Sequence, residues 1–210
     1  MNKSMYSLML MDEVVKEVDK YAYLHDTNRS NLINQILAEY LNVATPEMIS
    51  KEIFGFIGEL MNAEVFQIVN PTSPGNLAIK SSLEYKYRPT IKYNIELYRS
   101  FTEDIGTLSV TFRTQSPALL KDLAIFFEYW IGIEEHYSDA KMYYPAPGGK
   151  FIRGVRLNGE YTNRDISEAI SNYILMFDQI LKNYLTNNYR TYQDIAADYQ
   201  RLRSYYHLEI

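Results

Sequence analysis

Any chemistry in this chain has to come from carboxylates, lysines, hydroxyls and three histidines, because it contains no cysteine. That absence removes disulfides, thiolate metal ligands and a cysteine nucleophile. His25 and His207 stand apart from other candidate groups, which leaves His136, in Glu134-Glu135-His136 with Asp139 close by. On a helix Glu135 and Asp139 would share a face while His136 points elsewhere, so a solvated acidic helix end is the simpler reading than a metal site. Pro147-Gly148-Gly149-Lys150 places glycines before a lysine but lacks the first glycine and the hydroxyl residue of a phosphate loop, and a strand pattern follows it. It reads as a turn. Neither a Gly-x-Ser-x-Gly elbow nor a His-Glu-x-x-His pair occurs. No enzyme activity, metal or cofactor is therefore expected.

Two basic clusters remain. Lys86, Arg88 and Lys92 fall on the wet side of a strand pair, and Lys150, Arg153, Arg156 and Arg164 surround Asn158-Gly159. Either could touch nucleic acid or an acidic ligand, but strand faces open to water are commonly charged to prevent edge pairing, and the solvated reading leads for both. Twenty tyrosines among 210 residues suit an interface or a pocket, and they suit a core equally well because most fall at core-facing periods.

The elements that must position these residues form an α+β pattern. Thr45-Pro46-Glu47 starts a helix that runs to about Asn62, with Ile49, Ile53, Phe56, Ile57 and Leu60 in a stripe and Gly55 and Gly58 leaving room for a close neighbour. Glu64 to Val69 reads as a strand. Alternation then runs through Leu77, Ile79, Leu83, Tyr85 and Tyr87, resumes at Ile91, Tyr93, Ile95 and Leu97, and returns at Leu108, Val110 and Phe112. Such alternation marks antiparallel strands with one apolar and one wet face. Pro117 opens a long helix carrying Leu120, Leu123, Phe127, Trp130 and Ile131, and Pro145 to Gly149 is a loop by composition. Phe151 to Leu157 and Glu160 to Thr162 flank Asn158-Gly159, a strong hairpin signal. The last fifth is helical, with a stripe from Ile166 to Leu185 and a tyrosine-rich helix from about Tyr192 to Tyr206. The expected body is a mostly antiparallel sheet with long helices on one side.

The first 41 residues follow a different pattern. Tyr6, Leu8 and Leu10 alternate with Ser7, Met9 and Met11, the period of a strand with one face on a core. From Asp12 the period becomes helical, with Val14, Val15, Val18, Tyr21 and Ala22 on one side and Asp12 and Glu13 in the first turn, where carboxylates favour the helix dipole. This helix should stop near His25-Asp26, and Asn28 is placed to cap a second one running to about Leu41. A strand and two helices of this size bury too little surface to stand alone, and the strand's unpaired edge invites a second copy.

This arrangement resembles the ribbon-helix-helix family, to which Arc and MetJ belong, without gaps. The family's alternating strand and acidic helix start fall on Tyr6 to Glu13, and its second motif falls on Ala22 to Ile33, ending in Asn28-Arg29-Ser30-Asn31-Leu32-Ile33. Met11, Asp26 and Asn31 stand where the family usually has Pro, Gly and Glu. The resemblance implies an obligate homodimer whose two-stranded ribbon lies in the major groove of double-stranded DNA. Base contacts would fall to Met5, Ser7 and Met9. Phosphate contacts would fall to Lys3, Arg29 and the helix start around Asn28 to Ser30, where a helix N-terminus suits an anion. Ser7 can make one hydrogen bond and the methionines only apolar contacts, so modest specificity is implied, and dimerisation alone stays open as an alternative.

With a net charge of -5, and four basic against six acidic residues up to Thr45, no basic tail announces nucleic acid, and modest affinity is expected. The N-terminus lacks the basic and apolar regions of a signal peptide and no apolar run approaches membrane-spanning length, so a cytoplasmic location without a membrane partner is expected. The resulting expectation is a head over 1–44, a connecting helix over 45–62 and an α+β sensor or oligomerisation domain over 63–210. Its function would be that of a DNA-binding transcriptional regulator. The alternative is an antitoxin-like interaction protein whose head only dimerises and whose body holds a protein partner.

Overall fold

The structure, a computed structural model, describes residues 5–69, 73–84, 88–101, 104–137, 142–146 (backbone only), 149–156, 159–186, 188–189 and 191–206. It is α+β and divides into two compact units, Met1–Ile49 and Ser50–Ile210.

The first regular element of the first unit is helix α1 (Asp12–Leu24), followed by α2 (Arg29–Tyr40). Asp12 and Glu13 occupy the first turn of α1, as a helix dipole favours, while Met11 before it contributes no side-chain cap. Asn28 caps α2, its side chain accepting from the Asn31 amide at 2.9 Å. Both helices end in the same device. Asp26 (φ 50°) and Asn42 (φ 53°) take the left-handed conformation that Asp and Asn tolerate, and the next amides, of Thr27 and Val43, close onto the Ala22 and Ala38 carbonyls at 2.9 and 2.8 Å. Val18 and Ala22 of α1 meet Leu32 of α2, with Ile33 packed alongside.

The strand expected at Tyr6 to Met11 is not formed in the single chain. These residues carry no ladder and run directly into α1, and Tyr6, Leu8 and Leu10, expected to face a core, are all exposed. The physical reason is simple: a strand needs a partner for its backbone groups, and among the described residues none pairs with this segment.

Helix α3 (Pro46–Leu60) begins as the sequence indicates, with Pro46 in its first turn and Thr45 Oγ1 accepting from the Met48 amide at 3.2 Å. From Ser50 onward it belongs to the second unit, where Ile53 and Ile57 are fully buried. The space left by Gly58 is filled by Ile68, whose Cδ1 lies 3.3 Å from where a Cβ would sit.

The second unit is one antiparallel sheet of six strands: β1 (Phe66–Val69), β2 (Asn76–Ser82), β3 (Thr90–Leu97), β4 (Asp104–Arg113), β5 (Met142–Ala146) and β6 (Lys150–Arg156), in the order β1-β2-β3-β4-β6-β5. Alternation places Ile79, Ile91, Tyr93, Ile95, Leu108, Val110 and Phe151 on one face, all buried. Helices α4 (Pro117–Tyr137) and α5 (Asn163–Leu185) cover that face, and α6 (Tyr192–Tyr205) packs on them. Phe177 of α5 makes ring contacts with Tyr93, Phe126, Trp130, Phe151 and Tyr173, so one side chain joins sheet to both long helices. Gly106 marks a register shift in β4, and a Cβ there would lie 2.2 Å from the Glu96 carbonyl oxygen, a separation no side chain can meet.

Two expectations about the body are corrected. Gly159 does not turn a hairpin, because Thr162 and Asp165 form a reciprocal capping box that starts α5 where a strand over Glu160 to Thr162 was expected. β6 pairs instead with β4 on one side and on the other with β5, whose Pro145 and Ala146 fall in the loop expected from composition. Tyr85, Lys86, Tyr87, Asp139, Pro147, Gly148, Leu157, Asn158 and His207 lie outside the described residues.

Candidate nucleic-acid interface

The positions implicated by the head's pattern occupy two places. Met5, Ser7 and Met9 lie in the irregular lead into α1 and are exposed, Met5 and Met9 almost completely. Nothing in the single chain gives them a common face, because no ladder fixes their alternation. Asn28, Arg29 and Ser30 are together at the α2 N-terminus, all exposed. The Asn28 cap takes the Asn31 amide and the Asn28 carbonyl takes that of Leu32. The Arg29 and Ser30 amides are the remaining first-turn donors, and a phosphate oxygen fits such donors at the positive end of a helix dipole. Lys3 lies outside the described residues.

Arg29 is engaged in a way the sequence did not reveal. Its Nε and Nη2 donate to the two carboxylate oxygens of Asp19 on α1, at 2.7 and 2.5 Å. This two-point pair bridges the helices and directs the guanidinium along the unit. The Arg29 hydrogen bond holds the Asp19 carboxyl below its usual range, and the same bond raises the Arg29 guanidinium. Asp19 stands ten residues before Arg29, across a turn, and that spacing carries no recognisable motif. Backbone amides therefore remain the better phosphate donors at this helix start.

Between them α1 and α2 form a groove of about 470 Å³ lined by Glu13, Val14, Glu17, Val18, Tyr21, Leu32 and Ile36. Ile36, Leu37, Tyr40 and Leu41 of α2 are exposed. At the helical period Ile36, Leu37 and Tyr40 fall on one side of α2 with the buried Leu32 and the adjacent Ile33. The groove and these residues together leave a contiguous apolar stripe exposed on this unit.

The body's ionisable clusters are built differently. Arg153, read as part of a surface basic cluster, is 1% exposed and its Nε donates to the fully buried Glu134 at 3.1 Å. Its guanidinium also lies 4.4 Å from the centre of the Tyr173 ring. Burial opposes the Arg153 charge, and the Glu134 carboxylate reverses that, leaving its pKa raised; burial first, then the Glu134 charge, lifts the Tyr173 phenol well above its ordinary value. Arg156 pairs with Asp104 and Arg164 with Glu168, so the expected cluster around the turn is dispersed. The signal was available: Arg153 shares strand parity with Phe151 and Val155, and Glu134 follows Trp130 by one helical turn.

A second buried group joins Tyr93, Asp178, Lys182 and Ser81. The Tyr93 hydroxyl donates to Asp178 Oδ1 at 2.8 Å, while Lys182 Nζ lies 2.5 Å from Asp178 Oδ2 and donates to Ser81 Oγ at 2.7 Å. A lysine beside a serine can serve as a base only when neutral. Here Lys182 is ion-paired with Asp178, and the cluster ties α5 to β2 and β3 of the sheet. Among the described residues no three His, Asp or Glu side chains are placed to hold a metal ion, and no helix is long and apolar enough to cross a membrane. No family model matches this chain, nor does any curated protein or solved structure.

Proposed function

We propose that the protein is a homodimeric, cytoplasmic DNA-binding regulator of the ribbon-helix-helix type, with the α+β unit as a sensor or oligomerisation domain. The observation that carries this reading is the presence, in one small unit, of a lead without a ladder and an exposed apolar groove between the two helices that follow it. A second copy would satisfy both needs at once. Antiparallel pairing of the two leads would bond their free backbone groups, bury the side of Tyr6, Leu8 and Leu10, and turn Met5, Ser7 and Met9 outward as one row. The two α2 starts would then flank the ribbon with their amides directed at phosphates.

Met5 and Met9 favour a second reading, in which the head dimerises without reading DNA and the body holds a protein partner. Selection of random duplex DNA by the full-length protein at near-physiological salt separates the two. The regulator reading predicts an enriched inverted repeat, with Ser7→Ala together with Met9→Ala lowering specific binding more than non-specific binding. A dimer that enriches no sequence would overturn it and leave the interaction reading.

A further inference from the structure

The face of the sheet opposite the helices collects cations that are far apart in the sequence. Lys80 on β2 is directly opposite Lys92 on β3, Lys92 is opposite Thr111 on β4, and Thr111 is opposite Lys150 on β6. One row perpendicular to the strands therefore reads Lys, Lys, Thr, Lys. Neighbouring strands lie about 4.8 Å apart, so the three lysines emerge within about 15 Å of one another. The adjacent row of the same face carries Asn94 and Ser109, opposite each other, and the row on the other side carries Thr90 and Arg113. None of these side chains is buried, and among the described residues Lys80, Lys92 and Lys150 have no carboxylate partner.

Protection against edge pairing does not account for this row. Strands β2, β3 and β6 each have a neighbour on both sides, so their outward lysines guard no free edge. Like charges directly opposite one another, as Lys80 and Lys92 are, destabilise a sheet, and neither has an acid beside it in its row to offset that. An anionic ligand would. The same face carries Glu96, opposite Thr107, and the Asp104–Arg156 pair at the far end of β4, but the rows next to the lysines hold ammonium, guanidinium, hydroxyl and amide groups, the set that contacts phosphate oxygens without reading bases. Within the rows formed by β2, β3 and β4 no aromatic ring faces outward on which an unpaired base could stack, which disfavours single strands.

We propose that this face of the sheet is a contact surface for the phosphate backbone of double-stranded DNA, held chiefly by Lys80, Lys92 and Lys150. It takes the same ligand as the proposed head interface but is a separate site, and it supplies sequence-independent affinity that the acidic head lacks. The head would select the sequence and the sheet would add grip.

The test is the salt dependence of full-length protein binding to random-sequence duplex DNA. Each phosphate contact contributes about 0.9 to the slope of log affinity against log salt, so Lys80→Gln, Lys92→Gln and Lys150→Gln together should lower the slope by about two to three and weaken all sequences alike. Because these side chains point outward and repel one another, the triple variant should fold normally; Lys→Arg at all three sites should restore the slope. Lys51→Gln with Lys121→Gln, which removes exposed charge elsewhere, should leave it unchanged. A wild-type protein that binds no random duplex at low salt, or a triple variant with the wild-type slope, overturns the proposal. So does stronger competition by single-stranded DNA, or equal competition by polyglutamate, which would make the face a site for unpaired strands or acidic proteins. Failure here is distinct from failure of the head reading. Sequence enrichment that depends on Ser7 and Met9 can persist without the lysine effect, and the lysine effect can persist without enrichment.

Discussion

In the body, Phe126, Trp130, Tyr173 and Phe177 are at most 1% exposed, whereas in the head Leu8, Ile36, Leu37 and Leu41 are each at least 47% exposed. Both units have similar apolar periodicity, but only one satisfies it internally. The body has a six-stranded sheet and two long helices with which to enclose its apolar face, and its buried charges Glu134 and Arg153 are paired with each other. The head has two helices and an irregular lead, with a small cluster around Val18, Ala22 and Leu32. An amphipathic pattern thus specifies which face is to be hidden, and the number of elements decides whether one chain can hide it. The difference predicts that the body's stability is independent of protein concentration and the head's is not.

The largest effects should arise from disrupting the body. Arg153→Ala leaves Glu134 charged and buried without its partner, and should cost about 3–5 kcal/mol, measured by denaturant unfolding. Replacing both, as Arg153→Met with Glu134→Gln, should recover most of that loss; a double variant as unstable as the single one would show that the charge was not the cause. Phe177→Ala, which empties the centre of the aromatic cluster, should cost about 3–5 kcal/mol in the same assay. Neither change should alter the oligomeric state.

In the head, Ile36→Glu sharpens the comparison. On a free surface such a change is worth within about 0.5 kcal/mol, but in an interface it buries a charge. Sedimentation should therefore show dimers converted to monomers while the body's unfolding midpoint stays in place. Asn28→Ala removes the α2 cap and should cost the head about 1 kcal/mol, visible as earlier melting of the head alone.

The smallest effect concerns acid. The Asp19 carboxyl is held below its ordinary value of 3.8 by its hydrogen bond with Arg29. The contribution of this pair is complete above the unfolded value and is lost as pH falls through the folded one. A carbon-detected titration should place Asp19 below 3.8 in the wild type and return it towards that value in Arg29→Ala.

Local chemistry made much of this fold legible. The caps at Asn28, Thr45 and Pro46, the stop at His25-Asp26, the alternation over Leu77 to Ile79, Ile91 to Leu97 and Leu108 to Phe112, and the helical stripe from Ile166 to Leu181 are all set by residues within a turn or a strand of one another. Three features were not. Asn158-Gly159 has hairpin chemistry, but the Thr162–Asp165 capping box next to it has the stronger claim on the following residues. Arg153 looked like a surface cation because a charged residue in a strand is usually exposed, and only strand parity together with Glu134 on a distant helix puts it inside. The lysine row could not be read from sequence, since Lys80, Lys92 and Lys150 become neighbours only when the strand order β2-β3-β4-β6 is fixed. The lead from Tyr6 to Met11 is the reverse case: its alternation is plain, yet the strand it describes requires a second chain.

Amide hydrogen exchange across Tyr6 to Met11 in the full-length protein, followed as a function of concentration, tests the central claim most directly. Antiparallel pairing of two leads predicts protection that rises with protein concentration, alternates along the segment and disappears in Ile36→Glu. Fast exchange of these amides at every concentration, with the protein otherwise folded, would contradict the ribbon and with it the proposed DNA-binding head.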